Sequence, residues 1–278
     1  MRRFILPPAF EIKDAGRRML KSLRSRILDK ELTLGSWLSF GYPYSAEIMA
    51  KAGFEWMVID LEHGAIDMGE ARSLIQIIDL AGCTPLVRVA VNEPVRIKQA
   101  LDAGARGVIV PMVNTPREAE AAVKAAYYPP AGSRGVGLAR AQDYGFGFEA
   151  YRVEAAAETI VIVQIEHIDA VRNLDAILAV TGVDGFMVGP YDLSGSVGHP
   201  GDFNHPAVRD AMKEVGRVAK EASKPAGYHV VHPDRELLKA KIDEGFTLIA
   251  YGDDMVFFRE KVATEFAGAK TVLGARTK

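Results

Sequence analysis

The sequence predicts an α/β protein, a single closed barrel of eight parallel strands, each followed by a helix. Three observations carry that prediction. Short β-branched runs alternate with longer helical stretches, the pattern of repeated βα units. Eight such runs can be counted, more than the roughly five to seven strands usual in a doubly wound sheet. The helical stretches also close repeatedly on a glycine just before the next run, at Gly53, Gly82, Gly104, Gly182 and Gly245. The left-handed position that ends a helix suits a residue without a side chain.

Taken in order, residues 1–15 read as an irregular arm. The apolar stretch Phe4-Ile5-Leu6 stops at Pro7-Pro8 and is followed by Glu11 and Asp14, which fits neither a signal peptide nor a transit peptide. An amphipathic helix is expected from about Ala15 to Lys30. Strands are expected at Leu34–Phe40, Trp56–Leu61, Thr84–Ala90, Gly107–Met112, Ile160–Glu166, Gly185–Gly189, Ala226–Val231 and Thr247–Tyr251. The longest gap runs from the helix ending near Tyr127 to Ile160. Its length and weak periodicity mark it as an active-site element. A final helix, from about Asp254 to Phe266, is expected to pack on a neighbouring subunit. No linker divides the chain, so residues 16–278 read as one domain.

Composition narrows the function. With 34 basic and 36 acidic residues, no net field draws nucleic acid or an anionic membrane. No apolar run approaches the roughly 20 residues needed to span a bilayer. The lone Cys83 excludes internal disulfides and fits a reducing compartment. It reads as a small core residue rather than a nucleophile. A cytoplasmic protein is expected.

In barrels of this kind the working residues sit at the C-terminal ends of the strands. Read in order, those ends carry Asp60-Leu61-Glu62-His63-Gly64, Val87-Arg88-Val89, Val110-Pro111-Met112, Gln164-Ile165-Glu166 and Gly189-Pro190-Tyr191-Asp192. Glu166 and Asp192 end successive buried strands. A charge so placed needs a compensating cation, and neighbouring strands lie about 4.8 Å apart, so the pair can share one divalent metal. Oxygen donors without histidine favour a hard cation such as Mg²⁺ or Mn²⁺. The plainer alternative makes either acid a partner of Arg88 or of a helix N-terminus. Gln164 shares the parity of Glu166 and should point inward with it.

His63 is the base candidate, since an imidazole titrates near neutrality. It needs an orienting carboxylate, and Asp60 and Asp102 are the candidates. Arg88 on a core strand must meet an anion, either an enolate or carboxylate of substrate, or simply Glu62 or Glu166. Other features carry less. His229 and His232 are three apart on a strand, face opposite sides and cannot chelate one metal. His167, His199 and His205 fall in loops. The glycines of 132–137 neither follow a clear strand nor open a clear helix, against a phosphate loop. No lysine falls at a strand end, which speaks against a Schiff-base aldolase.

Asp-Leu-Glu-His-Gly (60–64), Val-Arg-Val (87–89), Tyr-Pro-Pro-Ala-Gly-Ser-Arg-Gly-Val-Gly (128–137), Gln-Ile-Glu (164–166) and Gly-Pro-Tyr-Asp-Leu-Ser (189–194) together resemble the HpcH/HpaI aldolases, metal-dependent class II pyruvate aldolases. The similarity covers roughly Gly16 to Arg259. It implies a TIM barrel of the phosphoenolpyruvate/pyruvate superfamily type. Glu166 and Asp192 would bind Mg²⁺, Mn²⁺ or Co²⁺, and Gln164, Tyr191 and Asp192 would hold pyruvate. His63 would act as base with Asp102 raising its basicity, and Arg88 would stabilise the enolate. The substrates would be pyruvate and an aldehyde, or the 4-hydroxy-2-oxoacid they form. A homo-oligomer, hexamer or trimer, is implied, with the last helix exchanged between subunits.

Two features depart from the family pattern. Tyr191 stands where a smaller residue is more usual, and residues 1–15 precede the usual start. Arg134, Arg140 and the 142–148 loop are candidate aldehyde contacts. The rival readings are a citryl- or malyl-CoA lyase, for which no basic cluster is evident at the rim, and a catalytically silent barrel that binds keto acids.

Overall fold

A computed structural model describes residues 21–276 of the chain. The predicted arm, residues 1–15, and the first part of the predicted N-terminal helix lie outside them. Eight parallel strands close into a barrel in sequence order. They are β1 (Thr33–Leu38), β2 (Trp56–Asp60), β3 (Thr84–Arg88), β4 (Gly107–Val110), β5 (Ile160–Ile165), β6 (Gly185–Val188), β7 (Ala226–Val230) and β8 (Leu248–Asp253). Every expected strand is present. β8 runs two residues beyond its predicted end, through Gly252 at φ +71°, and so carries Asp253 onto the rim.

The apolar runs are buried on both faces because the barrel has two cores. Between sheet and helices lie residues such as Met57, Ile59, Val87, Val108 and Val163. Inside the barrel lie Trp37, Trp56, Val58, Leu86, Ile109, Ile162 and Met187. Ile27, from the helix Leu23–Leu28, joins the inner group, so this helix plugs the N-terminal mouth. The opposite mouth, where Arg88, Gln164 and Asp253 emerge, is left for chemistry.

Helices return each strand's polarity to the bottom of the barrel, which fixes the side on which every connection lies. The segment 128–147 follows the helix Pro116–Ala126 and precedes β5. A further helix, Phe148–Glu158, intervenes before β5, and the segment lies at the bottom and flank, where its arginines meet the ends of other helices, not at the catalytic rim. Arg134 binds Asp102 at 2.6 Å and Arg140 binds Asp79 at 2.5 Å. The expectation that Arg134, Arg140 and the 142–148 loop reach the aldehyde is thus corrected within one protomer.

The last helix extends from Asp254 to Arg276, ten residues past its predicted end. Met255, Phe258, Val262 and Phe266 are exposed along it. Among the described residues no helix is long and apolar enough to cross a membrane.

Candidate active site

A cavity of about 650 Å³ opens at the C-terminal ends of the strands. His63, Arg88, Gln164, Tyr191 and Asp192 line it, together with Trp37, Asp60, His229 and Asp253. Glu166 lies directly behind its wall, 2% exposed, against Gln164 and Gly189.

Asp60 and Arg88 face each other across the β2–β3 register. Arg88 donates from Nε to Asp60 Oδ1 at 2.9 Å and from Nη2 to Oδ2 at 2.5 Å. Burial alone would raise the Asp60 carboxyl, but this bidentate pair, with help from two backbone N–H groups, holds it below the usual range. Those N–H groups belong to Glu62 and His63, 3.0 and 3.2 Å from Oδ1. Asp60 therefore fixes the turn that carries His63. Glu62 Oε2 approaches Arg88 Nη1 to 3.1 Å without hydrogen-bond alignment. The guanidinium also lies 5.2 Å from the centroid of the Trp37 ring.

Glu166 follows β5. Its Oε1 accepts from the Met112 N–H at 2.7 Å and its Oε2 from Gln164 Nε2. Met112 sits at φ +53°, a strained turn that aims its N–H at the carboxylate. Desolvation pushes the Glu166 carboxyl up to about 7; the negative charges of Glu62 and Asp192 add to this, and the Met112 N–H opposes it. Glu62 is raised too, by burial first and by Asp60 and Asp192 after it. Asp192 is exposed in the first turn of the helix Pro190–Ser196.

Glu62, Glu166 and Asp192 gather negative charge beside a buried amide oxygen, Gln164 Oε1, that lacks a donor, and these are oxygen donors of the kind a hard divalent cation takes. Among the described residues no group of three or more His, Cys, Asp or Glu is placed to hold a metal ion. Glu166 and Asp192 would leave positions for water and substrate, as an open catalytic site requires.

Gly189 is needed beside this set. A Cβ there would lie 2.8 Å from Glu166 Oε2 and 2.9 Å from Glu166 Cβ. Gly189→Ala is expected to cost about 1–3 kcal/mol from overpacking and to weaken Mn²⁺ binding. Thermal melts and metal titration check this, and an unchanged melting point would count against the close approach.

Asp102 is not brought to His63 in one protomer. It ends the helix Pro94–Asp102, at the bottom of the barrel, whereas His63 follows β2 at the rim. Its carboxylate is held by Arg134, whose guanidinium lies 4.7 Å from the Tyr128 ring centroid. Residues that strand-end reading missed or set aside are Trp37, Asp253 and His229. Asp253 accepts from Ser39 Oγ at 2.5 Å. His229 stacks on Trp37, with centroids 4.8 Å apart. His229 faces inward on β7, a parity that its spacing from His232 does not disclose.

The HpcH/HpaI aldolase/citrate lyase family model matches residues 33–260. The chain is 38% identical to a hydroxypyruvate/pyruvate aldolase of Roseobacter denitrificans over 85% of this chain and 92% of that protein. It is 39% identical to a 4-hydroxy-2-oxovalerate aldolase of Rhodococcus jostii over 84% and 90%. A solved HpcH/HpaI aldolase/citrate lyase family protein from Burkholderia cenocepacia superposes with a TM-score of 0.83 at 35% identity, covering 89% of this chain and 98% of that one.

Proposed function

The chain belongs to the HpcH/HpaI aldolase/citrate lyase family, and from that premise we propose that it is a carbon–carbon lyase. It cleaves a 4-hydroxy-2-oxoacid to pyruvate, or a close analogue, and an aldehyde, and condenses the two in reverse. The observation that carries this reading is the buried Glu166, raised to about 7 beside Glu62 and Asp192, at the rim that also presents Arg88 and His63.

Glu166 and Asp192 are the proposed holders of Mg²⁺, Mn²⁺ or Co²⁺, with Gln164 Oε1 at their side. The bound cation supplies Lewis-acid charge where the keto oxygen becomes negative. His63, exposed to the cavity, takes a proton from the methyl carbon next to the ketone, and returns one in the cleavage direction. Arg88, preset by Asp60, offers a fixed positive charge to the enolate oxygen, so little reorganisation is needed as charge develops. Gln164, Tyr191 and the backbone around Asp192 orient the keto acid.

If Asp102 orients His63, it does so from a second copy, because within one protomer the two lie at opposite ends of the barrel. The exposed apolar side chains of the last helix, Met255, Phe258, Val262 and Phe266, support a homo-oligomer. Residues 16–278 act as one aldolase domain, and the buried Cys83 fits a cytoplasmic setting. A CoA-thioester lyase finds less support. A groove beside the rim does hold Arg209, Lys213 and Lys220, with Arg217 taken up by Glu214 and Glu221, but the relatives at 38–39% identity are named as aldolases of oxoacids.

The test is deuterium exchange at the methyl of pyruvate, followed by NMR, for chelator-treated enzyme with and without Mn²⁺ or Mg²⁺. Metal-dependent exchange, lost in Glu166→Ala and in His63→Ala, is expected. Exchange that ignores both metal and these substitutions would overturn the assignment.

A further inference from the structure

Among the titratable side chains of the cavity that the proposed reaction does not use, His229 is the one that stands level with Glu166. Ile165 pairs with Val188, and Val188 with Tyr228. The next residues along the three strands are Glu166, Gly189 and His229, so His229 stands on the same rung as the proposed metal ligand. Gly189 has no side chain, and nothing from β6 divides them. At about 4.8 Å per strand their backbones are roughly 10 Å apart, a span that a keto acid with its aldehyde can bridge.

The imidazole is oriented by two contacts. Its Nε2 lies 2.9 Å from the Gly252 carbonyl oxygen. A carbonyl only accepts, so Nε2 carries the hydrogen and Nδ1 keeps its lone pair. The ring stacks on Trp37 with 17° between the planes. The carbonyl is itself fixed, because Gly252 takes φ +71° and the Phe257 ring occupies the place of a side chain there. Among the described residues nothing donates to His229 Nδ1, and the ring lines the cavity.

Burial holds the imidazole down to about 4; the Gly252 contact and Asp253 oppose this, and Arg88 adds to it. At neutral pH it is therefore an uncharged acceptor, a poor general base and no partner for a carboxylate. Carboxylate and keto oxygens are acceptors as well. On substrates of this class only a hydroxyl can meet it.

We propose that His229 is a specificity-determining residue whose Nδ1 accepts a hydrogen bond from a substrate hydroxyl one carbon away from a carbonyl. The hydroxyl belongs either to the donor keto acid or to the aldehyde. This rests on the aldolase reading above and names the substrates that its site prefers.

Two matched pairs test it with the Mn²⁺-loaded enzyme: hydroxypyruvate against pyruvate with one aldehyde, and glycolaldehyde against acetaldehyde with pyruvate. His229→Phe keeps a ring on Trp37 but has no acceptor. It should lower kcat/KM for the hydroxylated member of one pair about 10- to 100-fold, with little effect on its partner. The affected pair identifies the source of the hydroxyl. His229→Gln, which can donate to Gly252 and still accept, should restore much of the preference. In the Mg²⁺-loaded wild type, hydroxylated ligand should move the ¹⁵Nδ1 resonance of His229, a readout that needs no variant. Equal losses on all four substrates, or an unmoved resonance with every ligand, would overturn the proposal. A wild type inactive on all four with Mg²⁺, Mn²⁺ and Co²⁺ would instead overturn the aldolase reading, and the role of His229 with it.

Discussion

Glu166→Gln should lower metal-supported cleavage by about 10³-fold or more while making the metal-free protein more stable at pH 8. Both effects have one cause. Below about pH 4.5 the carboxyl is protonated whether the chain is folded or unfolded, and its burial costs nothing extra. As the pH climbs from about 4.5 to about 7, the unfolded chain ionises freely while the folded protein keeps the proton on a desolvated group facing Glu62 and Asp192, so stability is lost across that window and levels above it. The gap between 4.5 and about 7 corresponds to about 3 kcal/mol. Glutamine keeps the shape and has no charge to bury, so the metal-free variant should lack this decline. A bound cation reverses the sign by favouring the carboxylate. In the wild type the proton competes with the metal, and apparent Mn²⁺ affinity should rise about tenfold per pH unit up to about pH 7, then level. Urea melts at pH 5 and pH 8, with titration calorimetry, would measure both. A wild type whose metal affinity ignores pH would remove Glu166 from the site.

Why the place of Glu166 is legible in the sequence and that of Asp60 is not is a matter of register. Ile160-Val161-Ile162-Val163-Gln164-Ile165 announces a buried strand, so an acid one step beyond is conspicuous from the chain alone. Asp60 also ends a strand, but its partner is set by which residue of β3 lies opposite, and no local pattern states that. The structure pairs Asp60 with Arg88, so its side chain braces the arginine and its Oδ1 fixes the backbone of His63, instead of orienting the imidazole ring.

The 128–148 segment teaches the reverse. Its length points to the rim, yet it runs between the helices Pro116–Ala126 and Phe148–Glu158, and its ion pairs with Asp102 and Asp79 hold it at the bottom. The inward position of His229 is not legible in the chain because Tyr228 and His229 show no alternation of apolar and polar residues. Its role emerges only with the Gly252 carbonyl, exposed by a bend in β8 that the chain pattern did not extend far enough to include.

Arg88 should be the second position where loss is large, and there structure and chemistry can be separated. Arg88→Lys keeps a charge but loses the planar fork that meets both Asp60 oxygens, so kcat should fall about 10²-fold. Arg88→Leu leaves the buried Asp60 carboxylate without its cation, which should cost about 3–5 kcal/mol and about 10 °C in melting temperature. Adding Asp60→Asn to Arg88→Leu removes the stranded charge while the amide oxygen can still accept from the Glu62 and His63 N–H groups. Stability should then return in large part, because neutral groups replace a broken buried pair. Activity should not return, because nothing in the repaired pair restores positive charge at the enolate oxygen. Melts and pyruvate exchange on the same four proteins test this. Recovery of exchange along with stability would reduce Arg88 to a brace for the His63 turn.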